Sequence, residues 1–374
     1  MLTLLHLSDL HLGWAADFLD DQAEQFSRRR DGLLHRICTW VLSQAERIDL
    51  VLLVGDLFDT HRPSPGLVES VLADLRSLVA SGITVVTVPG NHDEITYHDS
   101  VYQRYRTGWP GLLVTNPMPD APLCISLAGQ DVYIYSLAYT GGLTRIPDYL
   151  SPLPRTGEAG VHIGAFHGSL DWQSGERGLP LQSAALAAAG YDYVALGHFH
   201  SPRLIRQGKT TIAYSGMIEG KGFSDPGCGQ LTLVDFQDGR VSSRLVPWAI
   251  PACRVERVDL SQLEQADELD ELISAWADPG LLLRVELVGT AGWLPEVERV
   301  LGRHRHGFLH LEVADDSLFL DDQLLFRWAN ETTIRGQFVR RLLDRLSATD
   351  DQETRTLLQL ALRRGIAAFR AGGE

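Results

Sequence analysis

Residues 50–59 read Leu-Val-Leu-Leu-Val-Gly-Asp-Leu-Phe-Asp and join an apolar run to a turn with two carboxylates. The run at 50–54 has the length of a β-strand. Gly55 lets the backbone turn tightly directly after the run, so that Asp56 is brought close to whatever lies at the strand's end. The stretch therefore predicts a strand whose carboxyl end carries acidic side chains.

An apolar run followed by a polar cluster occurs at four other places in the chain. The runs are 2–7, 83–88, 161–166 and 191–196. The clusters that follow them contain, in order, Asp9 and His11; Asn91, His92 and Asp93; His167; and His198 and His200. If the runs are strands of one sheet, every cluster lies at a carboxyl end, where open α/β sheets build their sites. The repeated placement predicts one shared site.

The order of elements up to about residue 90 is strand, helix, strand, helix, strand. The helices are predicted at 22–47 and 65–80, the second after the start signal Arg62-Pro63-Ser64. Such an order implies parallel strands with helices across their faces. Shorter strands are predicted further along, at 112–114, 124–126, 132–136, 210–214, 230–235 and 241–246. The expected fold class is α/β, with two facing β-sheets flanked by helices in four layers.

A boundary is predicted at Pro247 to Pro251, where the pattern of strands changes. A small α+β unit follows, with a helix at 260–276 and strands at 281–288 and 308–313. The chain then becomes helical, with a hairpin of helices at 337–346 and 353–369. These patterns predict three segments, 1–250, 251–330 and 331–374.

Composition limits the classes of protein that the chain can belong to. The 374 residues carry a net charge of −15, which argues against a strong autonomous nucleic-acid binder. Arginine clusters such as Arg28–Arg30 leave two alternatives open, solvated surface and local phosphate contact. The four cysteines lack CxxC spacing and favour free thiols in a reducing cytoplasm. No run approaches the ~20 apolar residues of a membrane helix, so we expect a cytoplasmic protein without a membrane partner.

The clusters supply ligands for metal ions. Asp9-x-His11 and His198-x-His200 each place two side chains on one side of an extended segment. Carboxylate, amide and imidazole ligands without thiolate favour Mn, Fe, Zn or Mg. Seven candidate ligands are too many for one ion and suit two ions that share a carboxylate: Asp9, His11, Asp56, Asn91, His167, His198 and His200. Such pairs of ions activate water for in-line displacement at phosphorus, which predicts a phosphoesterase.

A single Asp-x-His or a single histidine is more often structural, so this interpretation depends on all five clusters together. The five clusters resemble the signature of the calcineurin-like metallophosphoesterases. In order, that signature is Asp-x-His, Gly-Asp-x-x-Asp, Gly-Asn-His-Asp, His and Gly-His-x-His. The resemblance implies one ion held by Asp9, His11, Asp56 and His200, and another held by Asp56, Asn91, His167 and His198, with Asp56 bridging. It also implies that His92 protonates the leaving oxygen or steadies the transition state, and that Asp59 orients His92. An imidazole held by a carboxylate is also what general-acid catalysis near neutral pH requires.

Three segments resemble the SbcD-type DNA repair nucleases: His6–Gly13, Gly55–Pro65 and Ala195–His200. Ser215–Lys221 is similar to the YhaO-like branch of that group. The resemblance covers residues 1–250 and implies two divalent ions, Mn²⁺ first, with Mg²⁺ and Fe²⁺ as alternatives. It implies DNA as a partner, a homodimer, and an SbcC-type or YhaN-like coiled-coil ATPase that docks on the C-terminal hairpin. Some relatives have histidine where this chain has Asp59, so that histidine's role does not carry over.

Three functions compete. The first is a DNA nuclease, acting as an exonuclease and on single strands as an endonuclease, in end processing or repair. The alternative is a phosphoesterase for small phosphoesters or phosphoproteins, and the third is a structural subunit with a vestigial centre. Residues beyond 250 favour the nuclease, because minimal members of the family need no such extension. For the C-terminal hairpin, packing on the same chain and docking of a partner both remain open.

Overall fold

The protein is described from a computed structural model. The structure describes residues 1–141, 153–171, 178–291, 293, 295–319 and 322–371. It divides into two compact units, Met1–Ile250 and Pro251–Glu374. Among the described residues, no helix is both long and apolar enough to span a bilayer.

The first sheet of the N-terminal unit has six strands. They are β1 (Leu2–Leu7), β2 (Leu50–Val54), β3 (Thr84–Val88), β4 (Leu112–Leu113), β12 (Gln230–Gln237) and β13 (Arg240–Pro247). Their order is β13-β12-β1-β2-β3-β4. The four N-terminal strands are parallel, whereas β12 runs antiparallel to β1 and pairs Phe236 with Leu2. The carboxyl ends of β1, β2 and β3 therefore meet at one edge.

The second sheet has seven strands. They are β5 (Leu123–Leu127), β6 (Gln130–Ser136), β7 (Val161–Leu170), β8 (Leu179–Leu181), β9 (Tyr193–Gly197), β10 (Arg203–Gln207) and β11 (Thr210–Tyr214). Their order is β10-β11-β9-β7-β6-β5, with β8 beside the end of β7. The strand predicted at 161–166 was expected to end before His167, and this prediction was wrong. Residues 168–170 pair with β8, so the strand continues and His167 lies inside it.

The two sheets face each other across one core. In β7 and β9, Ile163, Ala165 and Tyr193 share a buried cluster with strands of the first sheet, whereas Phe166 and Leu196 face the opposite side. This alternation follows from the two-residue period of a strand. Helices cover the outer faces: α1 (Ala23–Asp31), α2 (Leu33–Ser43), α3 (Pro65–Ala80), α4 (Val101–Arg104) and α5 (Ser183–Ala189). The expected α/β fold, with facing sheets flanked by helices, is confirmed.

The helix expected at 22–47 is in fact two helices, α1 and α2. Gly32 separates them: its N–H donates to the carbonyl of Arg28, which closes α1, and its own carbonyl accepts from Arg36 of α2. Glycine is a weak helix former, so a break there costs little. In contrast, α3 begins where expected, because the Ser64 side chain accepts a hydrogen bond from the Leu67 N–H.

The C-terminal unit begins with a parallel sheet in the order β14-β15-β17. Its strands are β14 (Ala252–Asp259), β15 (Asp278–Val288) and β17 (Phe308–Asp315), and a small pair is formed by β16 (Thr290–Ala291) and β18 (Leu318–Phe319). The helix expected at 260–276 begins later, as α6 (Ala266–Ala275). Asp259 caps a single 3₁₀ turn by accepting from the Ser261 N–H, and Leu263 is extended, so the helix cannot start before Ala266.

Four further helices belong to this unit: α7 (Val297–His304), α8 (Asp322–Ala329), α9 (Ile334–Ser347) and α10 (Gln352–Ala371). The last three share a cluster that buries Leu325, Trp328, Leu342 and Leu362. A separate cluster fills the space between the β14-β15-β17 sheet and α6 and α7. The functions expected for segments 251–330 and 331–374 stay predictions.

Candidate metal centre

The loops that follow β1 and β2 are joined by main-chain hydrogen bonds. The Asp9 N–H donates to the carbonyl of Gly55 (3.1 Å), and the His11 N–H donates to the carbonyl of Asp56 (2.9 Å). The loop after β9 of the second sheet meets the loop after β1, because the His198 N–H donates to Asp9 Oδ1 at 3.0 Å. Residues from three separate segments are thereby brought together at one edge of the sandwich.

Four of the predicted ligands have backbones in a region that side chains other than glycine seldom adopt. Their φ angles are 55° at Asp9, 45° at His11, 51° at Asp56 and 104° at His198. Such conformations cost of order 1–3 kcal/mol each and persist where the surroundings enforce them. Here the main-chain bonds between the loops enforce them, and the result is that these side chains point inward.

Two glycines allow the closest approaches in the centre. A Cβ on Gly90 would lie 2.2 Å from Asp56 Oδ1, and a Cβ on Gly55 would lie 2.0 Å from His167 Nδ1. Both distances are far inside van der Waals contact. The glycines of the Gly-Asp and Gly-Asn-His motifs are therefore needed so that the chain can pack against the ligands.

His11 and His200 face each other with their Nε2 atoms 3.2 Å apart. Nδ1 of His11 lies 2.9 Å from Asp59 Oδ1, and Nδ1 of His200 lies 3.0 Å from Asp225 Oδ1. Because an ionised carboxylate only accepts hydrogen bonds, each Nδ1 carries a hydrogen, and in the neutral form of the ring Nε2 then keeps its lone pair. Two lone pairs this close repel each other unless a cation lies between them.

Asp9 completes this first group, since ligand atoms of Asp9, His11 and His200 all lie within 4.8 Å of one another. Asp9 and His11 are fully buried. Buried carboxylate oxygens and imidazole lone pairs that converge without thiolate suit a divalent cation such as Mn²⁺. The donor set therefore fits a metal ion.

A second group forms around Asn91. Its Oδ1 lies 3.0 Å from His167 Nε2 and 2.9 Å from His198 Nδ1. His167 Nδ1 donates to the carbonyl of Val54 (3.0 Å), which again leaves Nε2 as the ring's ligand atom. Asn91 Oδ1 thus lies within 3.0 Å of a ring nitrogen of both His167 and His198.

Asp56 lies between the two groups. Its Oδ2 is 3.3 Å from His167 Nε2 and 3.7 Å from His11 Nε2. Burial alone would raise the pKa of Asp56, but the neighbouring His167 and His11 lower it below its ordinary value. The carboxylate is therefore ionised. Its role as a ligand shared by two ions stays a prediction.

His92 was predicted to act without binding metal, with Asp59 to orient it. Its Nδ1 lies 2.9 Å from the main-chain carbonyl of Asp59 and 3.8 Å from the Asp59 carboxylate. The Asp59 carboxylate is closer to His11 than to His92. His92 also forms a third group with His11 and Asp56, with ligand atoms within 4.8 Å of one another. The roles of His92 and Asp59 stay predictions.

Three residues without a predicted role lie beside the ligands. Asp93 accepts from the Gly90 N–H (2.7 Å) and the Tyr102 hydroxyl (2.7 Å), and so braces the loop after β3. Lys221 Nζ lies 3.9 Å from Asp59 Oδ1, and Asp225 contacts His200. Asp93 belongs to the Gly-Asn-His-Asp motif, so the sequence could have indicated that it supports the ligands. Lys221 and Asp225 lie in a loop without regular pattern.

His61 lies two positions after Asp59, at which some relatives have a histidine. Its ring stacks on Tyr97 with 4.2 Å between centroids, and its Nε2 accepts from Arg62 Nε at 3.1 Å. These contacts hold His61 in the loop beyond Asp59. The contacts described for His61 therefore lie outside the ligand groups.

The calcineurin-like phosphoesterase profile matches residues 2–202, more than half of the chain. The chain therefore belongs to the calcineurin-like phosphoesterase family, which confirms the expected family and the expectation of a phosphoesterase enzyme.

The relatives include the expected YhaO and SbcD types, and also Mre11. The chain is 24% identical over 246 residues to the uncharacterized metallophosphoesterase YhaO of Bacillus subtilis. This alignment covers 64% of this chain and 59% of that protein. It is 28% identical to the DNA double-strand break repair protein Mre11 of Aeropyrum pernix over 58% of this chain and 53% of that protein. It is 25% identical to the SbcD subunit of the nuclease SbcCD of Bacillus subtilis over 82% of this chain and 84% of that protein. The match thus spans little more than half of the first two relatives.

We expect Gly90→Ala to abolish tight metal binding. The added methyl group would overlap Asp56 Oδ1 and push the shared carboxylate away from both groups. Loss of a residue that supports a metal ligand typically lowers metal affinity about 10–100-fold. We expect Mn²⁺ affinity, measured by isothermal titration calorimetry, to fall by more than this in Gly90→Ala. Gly66→Ala is the control, because a Cβ there meets nothing within 4 Å. Unchanged affinity in Gly90→Ala would contradict this geometry.

Proposed function

We propose that the protein is a metal-dependent DNA nuclease that hydrolyses phosphodiesters with two divalent ions in DNA end processing or repair. The observation that carries the proposal is the convergence of seven side chains in two groups that share Asp56. Asp9, His11, Asp56 and His200 would hold one ion, and Asp56, Asn91, His167 and His198 the other. Mn²⁺ is the first candidate, with Mg²⁺ and Fe²⁺ as alternatives.

When bound, two such ions supply an activated water and stabilise charge on the phosphoryl oxygens. The chain's own residues fix where that chemistry occurs. Main-chain bonds between the loops after β1 and β2 hold the ligands, so little reorganisation is needed during the reaction. His92 is 41% exposed and can meet a substrate from solvent.

His92 is suited to deliver a proton. Its Nδ1–H is fixed on the carbonyl of Asp59, which leaves Nε2 to face the substrate. In the imidazolium form, Nε2 carries the proton that the leaving oxygen needs. The Asp59 carboxylate lies 3.8 Å from Nδ1, so the ring would carry that proton beside a negative charge.

The relatives support DNA as the substrate. Those with described functions are a double-strand break repair protein and a component of a nuclease. The alignment with the SbcD subunit of nuclease SbcCD extends over 356 residues, far beyond the 2–202 range of the family profile. We propose that segment 251–330, which has its own apolar cluster, helps to select a polymeric substrate. We propose that the protein acts both as an exonuclease and as a single-strand endonuclease.

The partner is proposed to be an SbcC-type or YhaN-like coiled-coil ATPase that docks on segment 331–374. Phe338, Leu342, Leu346 and Phe369 pack within their own unit, as the self-packing alternative requires. Leu357 and Leu360, three residues apart on one face of α10, are instead 62% and 36% exposed. We propose these two leucines as part of the docking surface. The homodimer and the cytoplasmic location stay predictions.

The experiment that tests the function is digestion of end-labelled linear duplex and of circular single-stranded DNA with Mn²⁺, with and without a candidate ATPase. We expect both exonuclease and endonuclease products, and none in Asp56→Asn, which loses the shared ligand. A chromogenic phosphodiester assayed in parallel distinguishes the alternative. Cleavage of the small ester alone, under every condition, would favour a small-molecule phosphoesterase.

We expect His92→Ala to lower turnover about 10²–10⁴-fold, the usual contribution of a general acid, while both metal ions remain bound. Metal content by mass spectrometry and single-turnover kinetics measure the two effects separately. His98→Ala is a matched control, because His98 is 97% exposed. Loss of metal from His92→Ala would show instead that His92 is a ligand.

We expect the double variant Leu357→Ser, Leu360→Ser to lose its complex with the co-expressed ATPase but to keep hydrolysis of the chromogenic diester. The reason is that neither side chain lies in the buried cluster of α8–α10. Size-exclusion chromatography measures the complex. Leu245→Ser, at a position 56% exposed in β13, controls for removal of an exposed leucine. A complex of unchanged stability would place the docking surface elsewhere.

A further inference from the structure

The loop 215–229 lies against the first ligand group although it is remote from the ligands in sequence. We propose that this loop is an integral part of the metal centre and that Asp225 is a positioning residue, which holds His200 in the way that Asp59 holds His11. The inference rests on the proposed two-metal function. It assigns a role to a residue outside the five sequence clusters and outside the range of the family profile.

Asp225 and Asp59 make equivalent contacts with the two facing histidines. Nδ1 of His200 lies 3.0 Å from Asp225 Oδ1, and Nδ1 of His11 lies 2.9 Å from Asp59 Oδ1. Each carboxylate fixes one tautomer and one ring orientation, so that both Nε2 lone pairs meet at the same point. A carboxylate behind a ligand imidazole also makes that imidazole a stronger base and a better metal ligand.

The main chain of the loop is bonded to His200 as well. The Met217 N–H donates to the carbonyl of His200 (2.8 Å), and the Cys228 N–H donates to the carbonyl of Met217 (2.8 Å). Gly216, with φ 74°, lets the loop come this close, since a Cβ there would lie 2.9 Å from the His200 carbonyl oxygen. One loop therefore fixes both the backbone and the ring of the same ligand.

Asp225 itself is held in place by a closed turn. Its carbonyl accepts from the Lys221 N–H (2.7 Å), and its own N–H donates to the carbonyl of Gly222 (3.1 Å). Gly220 packs directly on this turn, because a Cβ there would lie 1.9 Å from the Asp225 carbonyl oxygen. The carboxylate is thus presented by a rigid backbone and has little freedom to leave His200.

The loop is anchored at its centre to the helices that follow β1. Glu219 is 1% exposed and forms an ion pair with Arg36 of α2. The buried Arg30 of α1 donates to the carbonyls of both Glu219 and Leu10 (3.2 Å each), which joins the loop to the segment between Asp9 and His11. The position of Asp225 is therefore fixed relative to both histidines.

The test is a Mn²⁺ titration of the full chain by calorimetry, with electron paramagnetic resonance to detect paired ions. Asp225→Ala removes the acceptor and the charge. Asp225→Asn removes the charge but keeps an oxygen that can accept from Nδ1–H, and it also covers the case in which Asp225→Ala misfolds. Asp238→Asn is the matched control, because Asp238 lies exposed in the β12–β13 turn at φ 51°, which asparagine tolerates.

We expect Asp225→Ala to weaken one of the two Mn²⁺ sites by about 10–100-fold and to leave the other unchanged. Asp225→Asn should weaken the same site less, and the control should match the wild type. Three results would overturn the positioning role: unchanged Mn²⁺ affinity in Asp225→Ala, an equal loss of affinity at both sites, or an equal loss of affinity in the alanine and asparagine variants. A wild-type chain that binds fewer than two Mn²⁺ ions would instead overturn the proposed function, so the two failures are distinguishable.

Discussion

The cost of burying several ligand groups at one place is the constraint on which this structure depends. Asp9, His11, Asp56 and His167 are almost completely buried, and their carboxylate oxygens and ring nitrogens converge within a few ångströms. Burying an ionised carboxylate is costly unless opposite charge accompanies it. In the first group, the hydrogen of each ring faces outward to Asp59 or Asp225, so only lone pairs face inward. A divalent cation would offset this cost, and metal binding would then stabilise the fold at the site itself.

The backbone enforces this arrangement. Four ligand residues adopt left-handed φ angles, and the glycines at 55 and 90 leave no room for a side chain. Hydrogen bonds between the loops after β1 and β2 maintain that geometry, and β7 and β9 bring the histidines of the second sheet. The site is consequently built on strand ends and short loops fixed to them, which places functional groups more accurately than long free loops do.

The parts of this structure that follow from local pattern could be predicted from the sequence. The strands at 2–7 and 50–54 are apolar runs, and the helix at 65–80 follows a clear start signal. Polar residues after the runs do converge. Features that depend on distant pairing could not be predicted. β7 extends past His167 because β8 pairs with it, and the contact of Asp59 with His11 rather than His92 depends on how two loops meet. Asp225 lies in a loop of irregular conformation, and no periodicity indicates that its turn closes on His200. The roles of these residues in catalysis stay predictions.

The antiparallel pairing of β1 with β12 has a consequence for how the chain folds. β1 lies in the middle of its sheet, yet one of its two neighbours follows more than two hundred residues later in the sequence. Until that neighbour is synthesised, β1 presents an open hydrogen-bonding edge in a highly apolar segment, which is a template for wrong pairing. The nascent chain therefore has to shield this edge until β12 has been synthesised, and folding should be slow and sensitive to truncations that remove β12.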